Sequence, residues 1–282
     1  MKLTILIHCP DQPGIIHSIT EFIANIGGNV VYLDQHVDKE VGVFFMRLEC
    51  EFVTSFDLSE FKKDFALEVA TAYQMQWNVF TDEEKPKMAL FVSKYNHCLY
   101  DLLSRYQSGE LWVDIPFILS NHDDLRYIGE QFNIPYYHVP VTKGTKEAAE
   151  DEQLSFLHQH EVDFIVLARY MQIVSPKIID KFLNKIINIH HSFLPAFAGA
   201  KPYHAAFERG VKIIGATSHY VTEELDAGPI IEQDVATVSH THSVKDFIAK
   251  GRDLEKIVLA RAVKLHVSRK TMVYNNKTVI FS

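Results

Sequence analysis

The chain has 282 residues, 47% of them hydrophobic, and a formal net charge of −8 from 28 basic and 36 acidic side chains. That hydrophobic fraction fills real cores and excludes a disordered chain, and the length suits one large domain or two ordinary ones. A negative balance without any block of Lys or Arg excludes broad nucleic-acid binding, because phosphate neutralisation dominates such affinity.

The amino terminus, Met1 to His8, breaks off at Cys9-Pro10-Asp11 before a signal-peptide core forms. Apolar runs elsewhere are strand length, far below the roughly 20 residues of a membrane helix, so the expectation is a soluble, cytoplasmic protein with no membrane partner. Cys9, Cys50 and Cys98 fit neither a disulfide framework nor a metal knuckle and read as reduced, buried thiols.

Leu3 to His8 reads as a strand ended by Pro10 and Asp11. Gly14 then opens a helix with Ile15, Ile16, Ile19, Phe22, Ile23 and Ile26 on one face, and Gly27-Gly28 supplies a left-handed cap. Val30 to Val37 and Val41 to Cys50 follow as strands. Leu58, Phe61, Phe65 and Val69 mark a second helix, and Met75, Trp77 and Val79 alternate with polar residues as a half-buried strand does. The order βαββαβ predicts a ferredoxin-like unit over residues 1–80. Residues 81–87, polar and interrupted by Pro86, read as a linker to a second domain over 88–282.

In the second domain, strands at Met88 to Ser93, Ile115 to Ser120, Tyr136 to Val139, Phe164 to Ala168 and Ile186 to His190 alternate with helices, for example Asp151 to Glu161 and Ser175 to Lys185. This predicts a Rossmann-like, mostly parallel sheet with helices on both faces. Ile213 to Val221 and Ile230 to Val238 are joined by too short a turn for a crossover, so that pair is expected antiparallel. A long helix carrying Val244, Phe247, Ile248, Leu254, Ile257 and Val258 on one side follows.

Three reactive side chains stand where strand-like runs give way to loops: Asn188, His190 and Asp226. An amide holds a carbonyl oxygen, an imidazolium stabilises the charge developing there, and a carboxylate takes the proton of an attacking water. Open α/β sheets bind ligands beyond strand ends, so the placement suits acyl-group chemistry. Cys98, Leu102, Leu103 and Tyr106 fall at helical spacing, which places Cys98 in the core rather than at a thiol nucleophile. His158-Gln159-His160 and His240-Thr241-His242 lack the partners of a metal site, so no metal is expected.

The segment Asn188 to Pro195, with His219 to Gly228, resembles the formyltransferases that use 10-formyltetrahydrofolate. Within that group, Val92 to Leu103 and Gly199-Ala200-Lys201-Pro202-Tyr203-His204 resemble the formyltetrahydrofolate deformylase family. The resemblance implies hydrolysis of 10-formyltetrahydrofolate to formate and tetrahydrofolate, no permanently bound cofactor, and a supply of formate for purine synthesis within one-carbon balance. Leu167 to Val174 resembles the family's pterin-receiving segment, which makes Met171 and Gln172 candidate substrate contacts. Met171 also reads as core filler. Lys201 and His204 read either as substrate contacts or as a helix start. His219 orients the carboxylate, contacts the acceptor, or is a hydrogen-bonded core histidine.

Asp11-Gln12-Pro13-Gly14 and Gly27-Gly28-Asn29 are similar to the turns of ACT domains. That likeness implies a homo-oligomer with an amino-acid effector, glycine or methionine, near Asp11, Gly14, Gly28 and Asn29; a purely assembling appendage is the alternative. Relatives that formylate a phosphorylated amine place a glycine-rich turn after their first strand, where bare backbone N–H groups cradle phosphate. Here the turn is Ser93-Lys94-Tyr95-Asn96-His97, without glycine, which favours water as acceptor. An amine formyltransferase is the nearest rival, and a catalytically inert amino-acid sensor is a third reading.

Overall fold

A computed structural model describes residues 1–53, 57–196 and 202–282. The chain divides into two compact units, Met1–Lys85 with Ile280–Ser282, and Pro86–Val279.

The first unit runs β1 (Lys2–Pro10), α1 (Ile15–Asn25), β2 (Gly28–Asp38), β3 (Val43–Phe52), α2 (Leu58–Phe65) and β4 (Gln76–Thr81). Its antiparallel sheet has the order β2-β3-β1-β4, with Ile5 opposite both Leu48 and Val79. The expected βαββαβ order is therefore present. Ile15, Ile19, Phe22 and Ile23 of α1 are buried, but Ile16 and Ile26 are 39% and 42% exposed, against the expectation of six core positions. Ile16 lies about 100° round the helix from Ile15, and Ile26 already stands at the C-cap. The two glycines beyond the helix serve different needs. Gly27 takes the left-handed conformation at φ 79°, whereas a Cβ on Gly28 would lie 2.7 Å from Ile23 and Phe52, so Gly28 permits close helix–sheet packing. At the carboxyl end, Ser282 N–H donates to Asp34 Oδ2 at 2.8 Å, and Tyr32 Oη donates to the Ser282 carbonyl at 2.7 Å. These bonds tie the last residues to β2, whereas the sequence reading assigned them to the second domain.

The second unit runs β5 (Met88–Val92), α3 (His97–Gln107), β6 (Ile118–Ser120), α4 (Arg126–Phe132), β7 (Tyr136–His138), α5 (Lys146–Gln159), β8 (Phe164–Leu167), α6 (Pro176–Ile179), β9 (Ile186–His190), α7 (Pro202–Arg209), β10 (Ile213–Tyr220), β11 (Ile230–Thr237), α8 (Val244–Val267), β12 (Thr271–Tyr274) and β13 (Lys277–Ile280). Its seven-stranded sheet has the order β11-β10-β9-β8-β5-β6-β7. The five strands β5 to β9 are mutually parallel, while β10 is antiparallel to both β9 and β11. All of β5 is buried, as a central parallel strand covered on both faces requires. Strand order reverses at β5, which has β6 on one side and β8 on the other, so a crevice opens beyond these strand ends. Among the described residues, no helix is long and apolar enough to cross a membrane.

Two elements depart from expectation. The helix expected over Ser175 to Lys185 is only Pro176–Ile179 with a short 3-10 turn, because Leu183 leaves the helical region at ψ 125° and Asn184 takes the left-handed conformation at φ 55°. The β12–β13 hairpin went unforeseen, although Asn275-Asn276, with φ 46° and 58°, is the two-residue turn that such a hairpin favours.

Candidate active site

Strand pairing builds the centre of the site. β9 and β10 place Asn188 directly opposite His219, so both side chains project from one face. Asn188 Nδ2 lies 3.2 Å from His219 Nε2, and His219 Nδ1 lies 2.9 Å from the Tyr220 carbonyl. That carbonyl only accepts, so the Nδ1 nitrogen carries a proton and Nε2 faces Asn188. A register shift in the β10–β11 ladder at Ser218/His219 marks a bulge there, a device that re-aims side chains beside active sites.

The turn after β10 carries Asp226 in the left-handed conformation, at φ 57°. Asp226 Oδ1 sits 3.1 Å from His190 Nδ1 and 3.7 Å from His219 Nε2. The hydrogen bond from His190, with the His219 imidazole close by, holds the carboxyl well below the usual carboxylate range against the opposing effect of burial, so it is ionised in the resting site. Two features fix the turn. A Cβ on Gly228 would lie 1.8 Å from the Tyr220 carbonyl oxygen, so only glycine allows this approach to β10. On the other side, Asn276 Nδ2 donates to the Ala227 carbonyl at 2.9 Å, and the unforeseen hairpin thus braces the loop.

With its Nδ1 committed to Asp226, His190 presents Nε2, which is buried and has no hydrogen-bond partner. The His190 ring lines a cleft of about 540 Å³ together with Asn188, His219, Asp226, Met171 and Gln172. The Met171–Gln172 segment is held from beneath: Met171 N–H donates to Ser93 Oγ at 3.0 Å, and Ser93 Oγ donates to Asn121 Oδ1 at 2.6 Å.

Six of the expected site residues therefore share one cleft. His204 lines a different cavity, and Lys201 lies outside the described residues. In the first unit, Gly14 precedes the eleven-residue α1 and Gly28 follows it, so about 16 Å of helix separates the two candidate effector turns within one copy. Asp11 N–H is bonded to the Gly42 carbonyl at 2.9 Å, and Asn29 is exposed on the edge strand β2.

Were β9 to continue, strand alternation would turn His191 away from the face that carries His190. β9 ends at His190, however, and His191 lines the same cleft beside Arg169. Arg169 and Glu255 were missed, because single charged residues in a strand–loop segment and a helix carry no distinguishing pattern. Cys98 is fully buried on α3, where burial raises its thiol well above the ordinary value, in line with the core assignment.

A family model described as formyl transferase matches residues 86–263, and an ACT domain model matches residues 3–65. A formyltetrahydrofolate deformylase of Synechocystis sp. is 51% identical, covering 100% of this chain and 99% of that protein. One from Bacillus subtilis is 44% identical over 100% of this chain and 94% of its own length. The crystal structure of a formyltetrahydrofolate deformylase from Pseudomonas syringae superposes with a TM-score of 0.97 at 47% identity, covering 100% of this chain and 95% of that one. An ACT unit, a formyltransferase-type sheet and full-length likeness at this identity place the chain in the formyltetrahydrofolate deformylase family.

Proposed function

We propose that this chain hydrolyses 10-formyltetrahydrofolate to formate and tetrahydrofolate in the 540 Å³ cleft. The observation that carries this reading is the unpartnered, buried His190 Nε2 behind a Nδ1–Asp226 contact of 3.1 Å. The imidazolium form, supported by the carboxylate, directs Nε2–H at the formyl oxygen, and Asn188 Nδ2 offers that oxygen a second donor. Both imidazole contacts of Asp226 fall on Oδ1, which leaves Oδ2 for the attacking water.

The chemistry then balances within the site. Water oxygen bonds to the formyl carbon, and the carbonyl π electrons move to the oxygen held by His190 and Asn188. Asp226 is a weak base at rest, but the attacking water becomes strongly acidic as its C–O bond forms, and the carboxylate takes the proton then. Collapse breaks the bond from carbon to N10, and the Asp226 proton passes to that nitrogen. Formate leaves with one oxygen from water and is available for purine synthesis. Met171 and Gln172 are assigned to the pterin end, and His219 to holding Asn188 and Asp226 in register.

The rival reading, transfer to an amine, is tested by supplying one. Formate should appear in step with tetrahydrofolate whether or not glycinamide ribonucleotide is present, and no formylated ribonucleotide should accumulate. A formylated product that forms only with the amine, with no formate in its absence, would establish a transferase.

The ACT unit is assigned to sensing glycine or methionine across a paired assembly, on its likeness to such modules. A ligand alters activity only if it binds active and inactive states differently. Calorimetric heat and a change in formate release with one of the two are expected; silence in both measurements leaves the unit as an assembly module.

A further inference from the structure

Arg169 follows β8 with φ 65°, a conformation that disfavours L side chains and suits glycine. Its side chain is nonetheless buried, with 8% of the residue exposed. Three groups fix it there. One guanidinium nitrogen contacts His191 Nδ1, Nε lies 3.4 Å from Glu255 Oε2, and the guanidinium carbon stands 5.0 Å from the centre of the Tyr95 ring. Nε makes no hydrogen bond, so the ion pair is held without saturating the arginine's donors. Glu255 on α8 is 1% exposed; it also sits 2.8 Å from His97 Nε2 and accepts the Tyr203 hydroxyl at 2.7 Å. Burial pushes its carboxyl up, but the His97 bond and the Arg169 charge outweigh this and keep it below the ordinary range. His97, Cys98 and Glu255 bring ligand-type atoms within 4.8 Å of one another, yet Arg169 already stands there as the counter-cation.

The position of this strained arginine gives it a consequence for the reaction. Arg169 also lines a second cavity of about 250 Å³, together with Tyr95, His97, His204, Arg252 and Glu255. Arg169 and His191 line both this cavity and the cleft that holds His190 and Asp226. The second cavity has room for a small amine, and an amine attacks a formyl carbon faster than water does. A site that releases formate must therefore keep amines from that carbon.

We propose that Arg169 is the specificity-determining residue that reserves the formyl group for water, by walling the catalytic cleft off from a cavity able to hold an amine acceptor. This rests on the hydrolytic reading above. With the wall removed, the amine nitrogen bonds to the formyl carbon, the bond from carbon to N10 breaks, and the amine proton passes to N10. The balance needs no further reactant.

The test compares wild type, Arg169→Gly, and Arg169→Gly with Glu255→Gln, each folded by circular dichroism. Glycine suits the backbone, and the double variant avoids leaving a buried carboxylate without its arginine partner. With 10-formyltetrahydrofolate and glycinamide, formate and formylglycinamide are measured by mass spectrometry. Wild type should give formylglycinamide no higher than the enzyme-free background, and the variants should exceed that background by about tenfold or more. No formylglycinamide above the enzyme-free background in either folded variant overturns the proposal. Absence of formate from wild type without amine would instead overturn the hydrolytic reading, so the two failures are distinguishable.

Discussion

Asp226→Asn should lower the turnover number by about 10²-fold or more while leaving the fold intact, because it keeps the shape and removes the proton acceptor. Asn188→Ala should cost a similar factor through loss of a donor to the oxyanion. Both are read from steady-state formate release by folded protein, and near-wild-type turnover in either would remove that residue from the mechanism. The aspartate also has a stability signature. Its folded-state carboxyl is depressed below the ordinary value of 3.8 by the hydrogen bond from His190 and the nearby His219 imidazole. A depressed carboxylate contributes stability that is fully present above its unfolded value and lost as pH falls towards its folded value. Urea denaturation should therefore show the stability gap between wild type and Asp226→Asn shrinking as pH falls below about pH 4. A gap that stays undiminished at the lowest pH at which the protein folds would contradict the observed pairing.

Gly228→Ala should have an equally large effect through geometry alone. The added methyl would lie 1.8 Å from the Tyr220 carbonyl oxygen, and that same oxygen accepts from His219 Nδ1 at 2.9 Å. Either the Asp226 turn or the end of β10 must move, and both carry parts of the site. A 1 Å misplacement is enough to reduce the rate by about 10²-fold, and the strain should lower stability by about 1–3 kcal/mol. Turnover and urea midpoint measured on the same preparation check both. Wild-type values in each would show that the turn tolerates a side chain and does not fix Asp226.

Much of this site was legible because its residues stand at the ends of apolar runs. Asn188 and His190 close the run beginning at Ile186, and Asp226 stands in the turn after the run ending at Val221, so strand ends and chemistry coincide. The parallel core was legible for the same reason, as with the uninterrupted apolar stretch from Met88 to Val92. Cross-strand facts were not. Nothing in the spacing shows that His219 would face Asn188, because that depends on β9 and β10 pairing antiparallel in one particular register. Long-range ion pairs were hidden likewise: Arg169 and Glu255 are 86 positions apart, by subtraction of their numbers, and only the packing of α8 brings them together. The β12–β13 hairpin, whose Asn276 supports Ala227, was missed although its Asn-Asn turn carried a local signal. Ile16 and Ile26 illustrate the reverse error, where helical spacing overstated the width of the buried face of α1.

The central claim is that water is the nucleophile in the His190–Asn188–Asp226 cleft, and the most direct test follows its oxygen. The chain, 10-formyltetrahydrofolate and oxygen-18 water, with no amine present, should yield tetrahydrofolate together with formate carrying one heavy oxygen. Formate and label should both be lost in step in Asp226→Asn. Release of tetrahydrofolate without labelled formate, or no turnover until an amine is added, would contradict the account.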